Sequence, residues 1–185
     1  MNRRFAIFDM DGTLVDSMPW WQRIGVEYLA AKGVTDPAPE LMERIKPMTM
    51  LESSAFFMRE FNIPGSPAEI AAEINGMMAE HYRHDVTLKP GAADYLRALK
   101  EKGVRMCVAS ATVEPLVTAC LKRLGVLDCF EFLISCADVG AGKDRPDVFL
   151  AAAERFGAAP SDVASYEDAI FAAKTAVKAG FYTVG

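Results

Sequence analysis

Phe5-Ala6-Ile7-Phe8-Asp9-Met10-Asp11-Gly12-Thr13-Leu14-Val15-Asp16-Ser17 is the stretch on which the fold turns. Its apolar start, rich in aromatic and β-branched residues, reads as a strand buried on both faces. The strand stops abruptly at two carboxylates two residues apart. A buried charge is costly unless something pairs with it, so Asp9 and Asp11 at the mouth of such a strand call for a cation. Gly12 permits a turn that other residues resist, and Thr13 adds a hydroxyl. Open α/β sheets build their sites where strands deliver polar groups at their carboxyl ends. The chemistry this favours is that of a metal or a phosphate.

The pattern on either side differs. From about Ser17 to Lys89 the spacing predicts helices only. Trp21, Ile24 and Tyr28 recur at helical intervals before Gly33, which is placed to end that helix. Thr49-Met50-Leu51-Glu52 predicts a capping box opening a helix that runs through Phe61 and stops at Asn62-Ile63-Pro64-Gly65. Ser66-Pro67-Ala68-Glu69 predicts another, with proline at the first helical position and Ile70, Ile74, Met77, Met78 and Tyr82 as its apolar face. After Pro90-Gly91 strands and helices alternate. Strands are expected at 104–109, 132–135, 163–166 and 181–184, and helices at 92–102, 147–156 and 169–179, with a further helix ending at Gly125. Repeated β-α units imply a parallel sheet wrapped by helices, with the helical block inserted after strand one.

Three later strand ends carry matching chemistry. Ser110, Ala111 and Thr112 offer a hydroxyl and free backbone amides at a helix start, either a phosphate cradle or simply a helix cap. Lys143 sits in a glycine-bounded loop ahead of Pro146-Asp147, and Glu167-Asp168 again places acids after a strand.

Taken together, D-x-D-G-T-L-V-D-S, the Ser110 strand end, Lys143 with Pro146-Asp147 and Glu167-Asp168 resemble the four motifs of the haloacid dehalogenase superfamily. The likeness is to its Mg²⁺-dependent phosphatases and β-phosphoglucomutase-like enzymes, and it covers the whole chain. The resemblance implies a Rossmann-like α/β core at 1–16 and 90–185, with a small all-helical cap at 17–89 inserted after the first strand. It implies Asp9 as nucleophile, forming an aspartyl-phosphate, and Asp11 as general acid and base. Lys143 would neutralise charge, Ser110 and the Ala111 region would hold phosphate, and Asp9, Asp11, Asp168 and Glu167 would bind Mg²⁺. Relatives often follow the Glu-Asp pair with serine and later glycine, where this chain has Ala169 and Ala172. Mutases of this kind tend to carry histidine five residues after the hinge aspartate and to lack threonine at the place of Thr13. Here that count from Asp16 reaches Trp21, and Thr13 is present, so a phosphatase acting on a small phosphorylated metabolite is expected ahead of a sugar phosphomutase. A non-catalytic scaffold is the alternative from another class. A phospho-receiver domain fits less well, since its acidic pair is normally adjacent and it has no helical insertion after strand one.

Composition narrows the partners. The 185-residue chain is 51% hydrophobic with a net charge of -5, enough for a core and without a basic footprint for nucleic acid. No leader or membrane-spanning run is evident, so a cytoplasmic location is expected. Cys107, Cys120, Cys129 and Cys136 are dispersed, and reduced thiols are expected rather than a zinc site. His81 and His84 are expected on a solvated helix face. Trp20 and Trp21 are candidates for the substrate entrance or the cap core, and Arg44, Lys46 and Lys89 for anion contacts. The chain stops at Gly185 directly after an apolar strand, where relatives usually continue, so it is expected to be either a short form or a fragment.

Overall fold

The computed structural model describes residues 3–35 and 37–185. Five strands form one parallel sheet: β1 (Phe5–Phe8), β2 (Arg105–Ser110), β3 (Phe132–Ser135), β4 (Val163–Tyr166) and β5 (Tyr182–Val184), in the order β3-β2-β1-β4-β5. β1 is central, with Phe8 level with Val108 on one side and Tyr166 on the other. Alternation along the strands feeds two cores. Ala6, Phe8, Met106 and Val108 pack on one side of the sheet, and Ile7, Cys107 and Ala109 on the other. Burial on both faces explains why β1 and β2 read as continuous apolar runs.

Between β1 and β2 lie α1 (Met18–Ala31), α2 (Leu41–Ile45), α3 (Met50–Phe61), α4 (Pro67–His84) and α5 (Ala92–Glu101). Both capping boxes form: Glu52 and Ser66 occupy the positions expected of them, with reciprocal bonds between Thr49 and Glu52 and between Ser66 and Glu69. Asn62 closes α3 in the left-handed region. Helix α4 packs against α1 and α3. The chain leaves and re-enters the sheet region along paired segments. Asp16 N–H donates to the Thr87 carbonyl at 2.8 Å, Lys89 N–H donates to the Leu14 carbonyl at 2.9 Å, and the Lys89 ammonium meets Asp16 at 3.0 Å.

The remaining helices are α6 (Glu114–Arg123), α7 (Cys136–Val139), α8 (Asp147–Phe156) and α9 (Ile170–Lys178). Three elements differ from expectation. The short helices α2 and α7 lie in segments with too few turns to display a periodicity. Strand β2 extends to Ser110, one residue past its expected end, because Ser110 pairs in register with Ser135 of β3. Among the described residues, no helix is long and apolar enough to cross a membrane, and all four cysteines are free and buried.

Candidate active site

The carboxyl end of β1 delivers Asp9 into a nearly closed position, 6% exposed, its N–H donating to the Tyr166 carbonyl of β4 at 3.0 Å. Lys143 arrives from the loop between α7 and α8. Its ammonium lies 2.6 Å from Asp9 Oδ1 and also contacts Glu167 Oε1. Lys143 and Glu167 are as buried as Asp9. Burial opposes the charged ammonium, but Asp9 and Glu167 outweigh it and hold the lysine above its ordinary range. Burial likewise pushes the Asp9 carboxyl well up, Lys143 pulling it down while Glu167 and Asp11 add to the rise. The loop reaches this position because residue 142 is glycine. A Cβ there would lie 2.7 Å from the Pro47 carbonyl oxygen, so the Lys143 loop abuts the segment joining α2 to α3.

Asp168 stands beside this pair at the end of β4, and is exposed. Its backbone N–H donates to Thr13 Oγ1 at 3.1 Å. Gly12, at φ +89°, makes room for it: a Cβ would fall 2.3 Å from Asp168 Oδ2. Carboxylate oxygens of Asp9, Glu167 and Asp168 all come within 4.8 Å of one another. Asp9 Oδ2 is buried with no hydrogen-bond partner among the described residues. One ammonium does not balance three acids. A donor set of carboxylate oxygens without thiol or imidazole, with one buried oxygen unsatisfied, fits a hard divalent cation.

The Asp11 side chain takes a different course. Oδ1 accepts from Ser17 Oγ at 2.6 Å and from the Tyr82 hydroxyl at 2.5 Å, and Oδ2 accepts from Thr112 Oγ1 at 2.7 Å. Ser110 is buried at the end of β2, and its hydroxyl accepts the Thr112 N–H at 3.0 Å. Neither hydroxyl caps α6, whose N-cap is Val113 without a side-chain bond. The helix-cap alternative for these residues is therefore not realised.

A cavity of about 220 Å³ opens over this cluster. Asp9, Asp11, Ala111, Lys143, Glu167 and Asp168 line its floor, while Trp21, Met42 and Lys46 are among the residues facing them from α1, α2 and the turn after it. Of the candidate anion contacts only Lys46 borders the cavity. Arg44 lies over the Phe56 ring and Lys89 pairs with Asp16. Trp20 stacks on His81, which itself bonds Asp85, and His84 pairs with Glu80. The sequence marked neither the Tyr82 hydroxyl nor the α2 residues Met42, Glu43 and Ile45 that border the cavity. Tyr82 occupies an apolar helix position, where a tyrosine reads as core, and nothing local marks its hydroxyl as directed at Asp11.

The family model for haloacid dehalogenase-like hydrolases matches residues 4–180. Hexitol phosphatase A of Escherichia coli is 29% identical over 182 residues, spanning 96% of this chain and 80% of that protein. A phosphorylated carbohydrates phosphatase of Thermotoga maritima is 25% identical over 179 residues, spanning 95% and 81%. A CbbY variant from Rhodobacter sphaeroides, solved in complex with xylulose-(1,5)bisphosphate, superposes with a TM-score of 0.87 at 25% identity, covering 98% of this chain and 85% of that one.

Proposed function

The chain belongs to the haloacid dehalogenase-like hydrolase family and is an enzyme of its phosphatase branch, and on that premise we propose that it hydrolyses a small phosphomonoester through a covalent phosphoryl-Asp9 intermediate. The observation that carries the reading is the buried Lys143 ammonium held between Asp9 and Glu167 at the carboxyl end of the sheet, under a cavity open to substrate.

In this reading an Asp9 carboxylate oxygen attacks phosphorus in line, forming an O–P bond as the bond to the leaving oxygen breaks. The leaving oxygen keeps the electron pair and takes a proton from Asp11. Water then attacks the phosphoryl-aspartate, Asp11 takes the water proton, and Asp9 is released as carboxylate. Lys143 is fixed where charge grows on the phosphoryl oxygens, and the backbone amides around Ala111, with the Ser110 hydroxyl, hold the remaining oxygens. Asp9 and Asp168, with the Asp11 main-chain carbonyl, would hold Mg²⁺, and Glu167 would do so directly or through water. Bound there, the ion offsets negative charge on the transferring group. Residues 17–89 act as a cap over a core of 1–16 and 90–185, excluding water and selecting the leaving group.

The cavity lies below the roughly 300 Å³ at which pockets for drug-sized ligands begin, which supports a small substrate. Relatives named for hexitol and carbohydrate phosphates make sugar and polyol phosphates the first to try. The test is release of inorganic phosphate from p-nitrophenyl phosphate, with Mg²⁺ or with EDTA, by the wild type and by Asp9→Asn. Turnover that needs both Mg²⁺ and Asp9 is expected. Mg²⁺-independent turnover, or full activity in Asp9→Asn, would overturn the reading.

A further inference from the structure

Asp11 is the one acid of the site whose two carboxylate oxygens are both engaged by neutral hydroxyls, and those hydroxyls come from three separate parts of the chain. Ser17 precedes α1, Thr112 follows β2, and Tyr82 lies on α4. Tyr82 is completely buried and does not line the cavity, so it acts on the site only through the lining residues its hydroxyl touches, of which Asp11 is the acid. The phenol is itself fixed: Trp21 Nε1 donates to its oxygen at 3.0 Å, and Thr112 Oγ1 lies 3.3 Å away. With the indole N–H filling an acceptor position, the phenolic hydrogen is directed at Asp11.

The backbone around Tyr82 is also anchored to the sheet side. Arg123 of α6 donates from Nε to the Tyr82 carbonyl at 2.8 Å and from its guanidinium to the Val86 carbonyl. A side chain held this firmly at both ends is a poor candidate for mere core filling. An apolar residue of similar shape would fill the same volume without a buried hydroxyl to satisfy.

We propose that Tyr82, oriented by Trp21, is a positioning residue for proton transfer: it fixes the Asp11 carboxylate at the angle from which that group serves the leaving oxygen and, later, the attacking water. The inference rests on the phosphatase reading above. Loss of the phenolic hydroxyl removes one of the two donors on Oδ1 and leaves Asp11 held by Ser17 on Oδ1 and Thr112 on Oδ2, a looser hold that widens the range of its side-chain torsions. Proton donation to a poor leaving group then suffers, whereas a leaving group that departs without a proton is indifferent to where Asp11 points.

The experiment compares kcat/KM for p-nitrophenyl phosphate and for glycerol 2-phosphate in the wild type and Tyr82→Phe. p-Nitrophenolate needs no proton to leave and the glycerol alkoxide does. In Tyr82→Phe, kcat/KM for glycerol 2-phosphate is expected to fall about tenfold or more, a fraction of the roughly 10²–10⁴ that a positioned acid contributes. The value for p-nitrophenyl phosphate should stay within about threefold, while its kcat drops because Asp11 must still activate water in the second step. Trp21→Phe removes the indole N–H that orients the phenol and serves if Tyr82→Phe does not fold; it should skew the two substrates in the same direction, and because Trp21 also borders the cavity its effect on KM is read separately from kcat. Equal losses of kcat/KM on both esters, or no loss on either, would overturn the inference while leaving the phosphatase reading intact. A wild type that cleaves neither ester overturns both.

Discussion

The Lys143 ammonium and Asp9 Oδ1, 134 positions apart in sequence, lie 2.6 Å from each other with both side chains almost wholly out of solvent. Such a pair is strongly interdependent, because removing one partner strands the other's charge in a medium that solvates it poorly.

Lys143→Ala is therefore expected to lower kcat by roughly 10²–10³, the typical loss for an electrostatic contact to the transition state. It should also destabilise the fold by about 3–5 kcal/mol near neutral pH, since Asp9 and Glu167 remain buried without their cation. Burial holds both acids above the ordinary carboxylate range. Their protonated forms are therefore tolerated in the folded state, and the deficit should shrink as pH falls and grow as it rises. Denaturant unfolding of both proteins across pH measures this. A deficit independent of pH would count against it.

Metal should be readable without turnover. A cation that binds only the folded chain raises stability by mass action, about 2.7 kcal/mol at a hundredfold excess over Kd. For a chain of this size each kcal/mol moves Tm by about 2–4 °C. Mg²⁺ is therefore expected to raise Tm relative to EDTA, and Asp168→Asn to abolish most of that rise. Equal Mg²⁺ responses from the two proteins would remove Asp168 from the proposed ligand set.

Gly12→Ala places a methyl group 2.3 Å from Asp168 Oδ2 on a backbone at φ +89°. Gly33 supplies the control, having φ +88° and nothing within 4 Å of the added carbon. Strain at such a backbone position costs on the order of 1–3 kcal/mol, and both variants should show it. Only Gly12→Ala should also displace Asp168 and weaken the Mg²⁺-dependent rise in Tm.

Ser66→Ala breaks the capping box of α4, in which Ser66 N–H donates to Glu69 Oε2 at 2.7 Å and Glu69 N–H donates to Ser66 Oγ at 3.3 Å. The expected cost is about 1 kcal/mol, seen as a Tm lower by about 3 °C. The Ser66 backbone N–H, and then its hydroxyl, hold the Glu69 carboxyl below its usual range, and the variant loses only the hydroxyl's share. That contribution is complete above the ordinary glutamate pKa and is lost as pH falls through the lowered folded value. The difference between wild type and variant should accordingly narrow in acid, as thermal melts at neutral and acid pH would show.

Much of the molecule was legible in the chain because its signals are local. The apolar run of β1 ending at Asp9, the Thr49 and Ser66 capping boxes and the alternation after Gly91 each depend on neighbours within a few positions. Parallel β-α repetition leaves few topologies, so Asp9, Ser110 and Glu167 had to emerge at one edge of the sheet. Helix α2 was not legible, since its five residues show no period, yet it supplies Met42 and Ile45 to the cavity.

What the sequence determined alone was the order of elements, because hydrophobic period, capping and turn chemistry act between near neighbours, and through its resemblance to a known family it singled out the acids and the lysine of the proposed site. What only the tertiary structure decided was partnership. That Lys143 lies between Asp9 and Glu167, that Gly12 yields space to Asp168, and that a tyrosine on an apolar helix face holds Asp11 through its hydroxyl all depend on contacts between distant segments. Such contacts are set by how α4 packs against α1 and how each loop leaves the sheet, to within a fraction of an ångström, and no spacing along the chain encodes a distance of that kind.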